Sequence, residues 1–169
     1  PKTSSAASDV YKRQIPTIAT AKHFIGDGGT ANGVDQGDTQ ASLEQLMDVH
    51  GLGFAGALEA DVQTVMASFN SWNGTKLHGH PTAINTILKD KLGFNGFVVG
   101  DWNGHGQVDG CSNSSCAAAI NAGIDMLMAP KDWKQLIENT ILQVEQGLID
   151  TSRINDAVYR ILKVKYRAG

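Results

Sequence analysis

The chain has 169 residues, 41% of them hydrophobic and 18% charged, with a formal net charge of −3. That composition supports a buried core and excludes wholesale disorder. No basic run favours a phosphate-backbone partner, and no apolar run approaches the ~20 residues of a bilayer span, so neither nucleic acid nor membrane is expected as a partner.

Residues 1–14 have no apolar period and read as a disordered or non-native leader. From Ile15 to Ile25 a mostly apolar run ends in Gly26-Asp27-Gly28-Gly29, a buried strand followed by a turn. Residues 26–38 read as loop. Ser42 to Ala60 carries helical spacing, with a break expected near Gly51–Gly53. Val62 to Phe69 reads as a second buried strand, and Asn70 to His80 as loop. Pro81 opens a helix whose buried face is Ile84, Ile87 and Leu88 and whose end is Gly93. Gly96 to Asp101 is a third strand. A long polar loop runs to Cys116, and Ala117 to Asn121 is a short helix. Ile124 to Met128 reads as a fourth strand. Two amphipathic helices, Asp132 to Gln146 and Thr151 to Arg167, close the chain.

Apolar strands alternating with helices predict an α/β fold with parallel strands and right-handed crossovers. Four such units make a small open sheet or half of a (β/α)8 barrel. In either, chemistry sits at the C-terminal strand ends. That rule selects Lys22-His23, the segment Ser68 to Trp72, and Asp101-Trp102.

Asp101 follows Phe97-Val98-Val99-Gly100, which places a carboxylate at the edge of low dielectric. The bland reading is an Asp that caps the turn at Asn103-Gly104. Trp102 beside it suits stacking on the apolar face of a sugar, or plain packing. Lys22 is poor core filler, since Lys is almost never buried unpaired. His23 alone would read as a satisfied core histidine. Together, Lys22 and His23 would set fixed donors around a polyol beside a nucleophile.

Three other patterns have competing readings. Gly26 to Ala31 fits the dinucleotide pattern G-x-G-x-x-A, yet loop follows it, so a pyrophosphate would lack its helix N-terminus. His78-Gly79-His80 with His23 and Asp101 has metal-ligand chemistry, but the H-x-H lies in a loop before a helix. Cys111 and Cys116 read as a disulfide closing a short loop, as free thiols, or as half a metal site without a second pair. Glu44, Asp48, Glu59, Glu138 and Glu145 fall in helical stretches and read as solvated face.

Several strings resemble glycoside hydrolase family 3 in its β-glucosidase and exo-β-glucanase branch. Ala21-Lys22-His23-Phe24-Ile25-Gly26-Asp27-Gly28-Gly29-Thr30 resembles its Lys-His motif. Val65 to Gly74 resembles the next strand and loop, and Leu92 to Trp102 the strand ending in the family's nucleophile. Ala122 to Met126 and Arg153 to Val158 resemble the last strand and helix of its barrel. The resemblance covers roughly residues 15–169.

It implies retaining, exo-acting hydrolysis of β-glucosides or β-glucan ends, with Asp101 as nucleophile and no cofactor or metal. Lys22, His23, Met66, Phe69 and Trp102 would bind the substrate. Phe69 departs from the Tyr of many relatives and loses a hydroxyl near the nucleophile. A retaining enzyme needs a second carboxyl about 5–5.5 Å from the first. By resemblance that acid/base lies on a domain beyond Gly169. The hexosaminidase branch would place a His–Asp pair after the Lys-His strand, where this chain has Asp27 and no histidine before His50. The expectation is therefore the C-terminal half of a catalytic barrel over 15–169. Its partners would be the rest of the parent enzyme and a β-glucoside or β-glucan oligosaccharide. Such a half barrel is expected to be aggregation-prone alone and to turn over little by itself. Family habit and the Cys pair point to a periplasmic or secreted setting. The competing functions are a non-catalytic carbohydrate-binding fragment and a dinucleotide-binding domain.

Overall fold

A computed structural model describes residues 17–169. The predicted leader and Ile15 lie outside the described residues. The sheet at the centre is parallel, in the order β1-β3-β6, from β1 (Thr20–Phe24), β3 (Thr64–Ala67) and β6 (Phe97–Val99). Val65 and Val98 face each other in register and are buried, as parallel strands covered on both faces require. The second and third predicted strands are right in place and trimmed by a residue or two at their ends. Two peptide bonds in the β1 region, Lys22–His23 and Phe24–Ile25, are cis.

The fourth predicted strand is not formed as an element. Residues 124–128 contribute one parallel bridge, Val99 to Met126, with the Gly100 N–H donating to Met126 O at 2.8 Å. The reason is local. The Val98 N–H donates to the Asp125 side chain (2.8 Å) instead of to a strand carbonyl, so the ladder stops there.

The helices follow the predicted stripes. Helix α1 (residues 43–59) opens with a capping box in which the Gln45 N–H donates to Ser42 and the Ser42 N–H to Gln45. The break expected at Gly51–Gly53 is instead a π-type widening over Met47–Gly51 within a continuous helix. Its Phe54 meets Phe24 of β1 edge-on at 4.9 Å. Helix α2 (Thr82–Lys91) buries Ile84, Ile87 and Leu88. Helices α3 (Ala117–Ala122), α4 (Trp133–Glu145) and α5 (Thr151–Arg167) complete the chain. Cys111 and Cys116 form a disulfide just before α3.

The stretches expected to be plain loop carry a second, small sheet in the order β2-β4-β5: β2 (Asp38–Thr39), β4 (Ser71–Trp72) and β5 (Thr75–Lys76). Strands β4 and β5 are joined by Asn73-Gly74, whose φ angles of 48° and 84° make the two-residue hairpin turn that Asn-Gly favours.

On the helix side, an ion network ties α2, α5 and the sheet together. Asp125, with no exposed side-chain surface, accepts from Lys89 at 2.9 Å and from Arg153. Arg153 and Arg160 also hold Asp156. Burial lowers the pKa of Lys89, against the pull of Asp125. Burial alone would raise that of Asp156, but Arg160, Lys89 and Arg153 bring it below its usual value. Beside this network α4 and α5 leave an apolar cavity of about 370 Å³ lined by Leu136, Ile141, Ile154 and Val158. Ile137, Ile141 and Val158 on this side of the helix pair are about half exposed.

Candidate active site

Strand β6 ends at Val99, and Asp101 is the second residue beyond it. Its backbone turns sharply there. The Gly104 N–H donates to Asp101 O at 2.9 Å, with Asn103 left-handed at φ 54°. The Asp101 carboxylate keeps 16% of its side-chain surface. Its Oδ1 accepts from the Trp102 N–H at 2.7 Å, while the N–H of Gly104 in the following turn goes to the Asp101 backbone carbonyl and not to its side chain. Its Oδ2 lies 3.4 Å from His23 Nε2, at the end of β1, two strands away. On its other side the same ring has Nδ1 at 3.7 Å from Asp27 Oδ2. His23 thus stands between two carboxylates.

The remaining predicted residues gather less tightly. Lys22 precedes His23 and is exposed. Trp102 is 59% exposed, so it is not packing filler. Met66 pairs in register with Val99, and Phe69 lies two residues past the end of β3; both are half-buried. The strand-end loops are pinned from below by Asn70, which is fully buried and donates to Ile25 O (3.2 Å) and to Thr39 Oγ1 (2.9 Å). Thr39 in turn donates to Gly26 O at 2.8 Å. Lys76 adds a brace between Gln36 O and Phe69 O.

Two competing readings do not survive the geometry. Gly26 to Ala31 leads into two short 3-10 turns, Asp27–Gly29 and Ala31–Gly33, and not into a helix N-terminus that would receive a pyrophosphate. The two histidines of the H-x-H diverge. His80 stacks on Trp72 at 5.0 Å and accepts from the Ala83 N–H at the start of α2. His78 goes under Asp101, where its Nε2 accepts the Asp101 backbone N–H at 2.8 Å. Among the described residues, no cluster of three His, Cys, Asp or Glu side chains has metal-ligand geometry.

Sequence reasoning grouped His78 with His23 and Asp101 only as a candidate metal ligand and missed it as the acceptor of the Asp101 backbone N–H, because a loop histidine carries no period. The glycines at 100 and 104 were the available signal: they leave the room in which the buried ring sits. The His78 pKa is held down to about 4, chiefly by burial and further by His105 and Lys76, against the opposing pull of Asp101 and of a hydrogen bond to the Ser68 backbone. The ring is therefore neutral at pH 7.

Comparison with known proteins identifies the class. Residues 7–164 match the glycosyl hydrolase family 3 N-terminal domain. The chain belongs to that family, within its β-glucosidase branch.

The exo-1,3/1,4-β-glucanase ExoP of a Pseudoalteromonas species is 51% identical, with a TM-score of 0.90 over 92% of this chain and 20% of that one. A β-xylosidase of Formosa agariphila is 34% identical over 90% of this chain and 22% of its own length. Probable β-glucosidase F of Aspergillus fumigatus is also 34% identical, over 90% of this chain and 18% of its own. The β-glucosidase of Listeria innocua, at 22% identity and a TM-score of 0.83, shares the fold. The chain thus spans about a fifth of the length of the relatives it matches.

Proposed function

We propose that this chain is the nucleophile-bearing half of a (β/α)8 barrel in a retaining, exo-acting β-glucosidase or β-glucanase. The observation that carries the reading is the Asp101 carboxylate: one oxygen is held by the Trp102 N–H and the other is open toward His23. Oδ2 attacks the anomeric carbon, the bond to the leaving oxygen breaks, and a glycosyl-enzyme ester forms on Asp101. Water then releases the sugar with net retention. His23 and Lys22 donate to sugar hydroxyls, Trp102 walls the adjoining subsite, and Met66 and Phe69 line the first. The short share of its relatives' length that the chain covers supports two further points. The chain works as a segment of a longer enzyme, and the acid/base carboxyl lies outside it. The Cys111–Cys116 disulfide supports a periplasmic or secreted setting.

The test is intact-mass analysis after incubation with an activated 2-deoxy-2-fluoro-β-glucoside. It is run on this chain and on the longer polypeptide carrying it, with circular dichroism as the folding check. An adduct of one fluoroglucosyl unit, mapped to Asp101 and absent in Asp101→Asn, is the expected result. The substitution should lower the labelling rate by at least about a thousandfold. A folded long polypeptide that binds glucose yet takes no label would overturn the catalytic reading in favour of carbohydrate binding alone.

A further inference from the structure

The N–H of Asp101 has an unusual partner. Along a parallel strand, successive N–H groups point to alternate neighbours. Phe97 donates to Gln63 O on the β3 side, and Gly100 to Met126 O on the other. Asp101 points back to the β3 side. There an imidazole nitrogen, His78 Nε2, takes the place of a strand carbonyl at 2.8 Å.

The ring is fixed on every side. It is 1% exposed. It lies against Phe69 with ring centroids 5.7 Å apart. A Cβ at Gly104 would come within 2.3 Å of its Nε2, and one at Gly100 within 3.4 Å of its Cδ2. A hydrogen bond to the Ser68 backbone, at the end of β3, occupies the ring further. An Nε2 that accepts must be unprotonated, so the proton of the neutral ring is on Nδ1. The groups facing it that carry or take charge are Asp101 and His105 from the β6 side and Lys76 of β5. Helix α3, which packs on the same segment, brings none.

We infer that His78 is a positioning residue for the Asp101 carboxylate, acting through the Asp101 backbone N–H. The inference rests on the reading of Asp101 as nucleophile. The imidazole ties the ends of β3 and β6 together and so fixes the backbone from which the Asp101 side chain departs. The Trp102 N–H then holds Oδ1, and the remaining oxygen has one direction left, toward the site. A carbonyl acceptor could hold the N–H equally well in a regular ladder. That ladder ends at Met66–Val99, one step short of Asp101, and His78 extends it by that step.

Two substitutions separate positioning from packing. His78→Phe keeps the ring and removes the acceptor. His78→Gln offers an oxygen that reaches the place of Nε2. The readouts are the rate of covalent labelling by the fluoroglucoside, the dissociation constant for glucose, and the melting temperature, all on the polypeptide used for the Asp101 test. The expected result for His78→Phe is labelling slowed on the order of 100-fold, as a small misplacement of a reacting group produces, with glucose binding changed by less than about threefold. His78→Gln should stay within about fivefold of the parent rate. Two results would overturn the inference while leaving Asp101 as nucleophile: His78→Phe labelling at the parent rate, or both variants losing rate in step with their melting temperatures. A parent polypeptide that takes no label on Asp101 would overturn both readings together.

Discussion

Asp101 and Asp125 stand on neighbouring extended segments, and their surroundings are opposite. Asp125 has no exposed side-chain surface and both oxygens occupied, one by Lys89 and Arg153 and the other by the Val98 N–H. Asp101 keeps some exposure, has one oxygen on the Trp102 N–H, and leaves the other toward a histidine. A carboxylate whose lone pairs are all committed to cations and backbone is a fastener. One held by a single oxygen and by its own main chain keeps a lone pair for chemistry. The difference is set by what surrounds each carboxylate: helices α2 and α5 bring cations to Asp125, whereas Asp101 meets the backbone N–H of its own neighbour and a histidine of β1.

The largest loss of stability is expected at Asp125. Asp125→Ala leaves Lys89 and Arg153 buried without their shared acceptor, and breaking such a pair costs about 3–5 kcal/mol. Urea unfolding should show that loss. A change under about 1 kcal/mol would mean the network is solvated in practice and Asp125 is no fastener.

Acid is expected to act through His78. His78 is neutral in the fold with its pKa lowered to about 4 from 6.5, so the unfolded chain takes up the proton first. The stabilisation is therefore complete above pH 6.5, declines as pH falls, and is gone by about pH 4. A shift of this size corresponds to about 3 kcal/mol. Carboxylates contribute to acid unfolding as well, so the measurement is the difference between parent and His78→Gln stability across pH 7 to 4. A difference that does not change with pH would contradict the burial of a neutral ring.

The smallest effect is expected at Asp101 itself. Asp101→Asn keeps the size and the acceptor for the Trp102 N–H, so the unfolding free energy should move by less than about 1 kcal/mol. Chemical denaturation of this variant beside Asp125→Ala gives the contrast directly: one change removes labelling and spares stability, the other the reverse.

Much of this arrangement is legible in the chain itself. The runs that form β3 and β6, the helical stripes of α2, α4 and α5, and the placing of His23 and Asp101 at strand ends all follow from apolar period and glycine punctuation. The fourth strand is misread because Ile124 to Met128 has strand composition, while the deciding event is a side chain, Asp125, taking the Val98 N–H. Sequence period does not register a side chain that replaces a backbone partner. The role of His78 escapes notice for the same reason, since its ring nitrogen too substitutes for a backbone group. The β4–β5 hairpin is within reach: Asn73-Gly74 between Ser71-Trp72 and Thr75-Lys76 is a turn signal that a reading of residues 70–80 as featureless loop overlooks.

The contact between Gly104 and the His78 ring also bears on how this loop can vary. Any side chain at position 104 collides with the imidazole, so random libraries at that position should return glycine alone. The restriction lifts once position 78 carries a smaller residue, so position 104 can change only after position 78 has. A loop of this kind drifts by paired steps, and engineering that treats its positions one at a time will find it frozen.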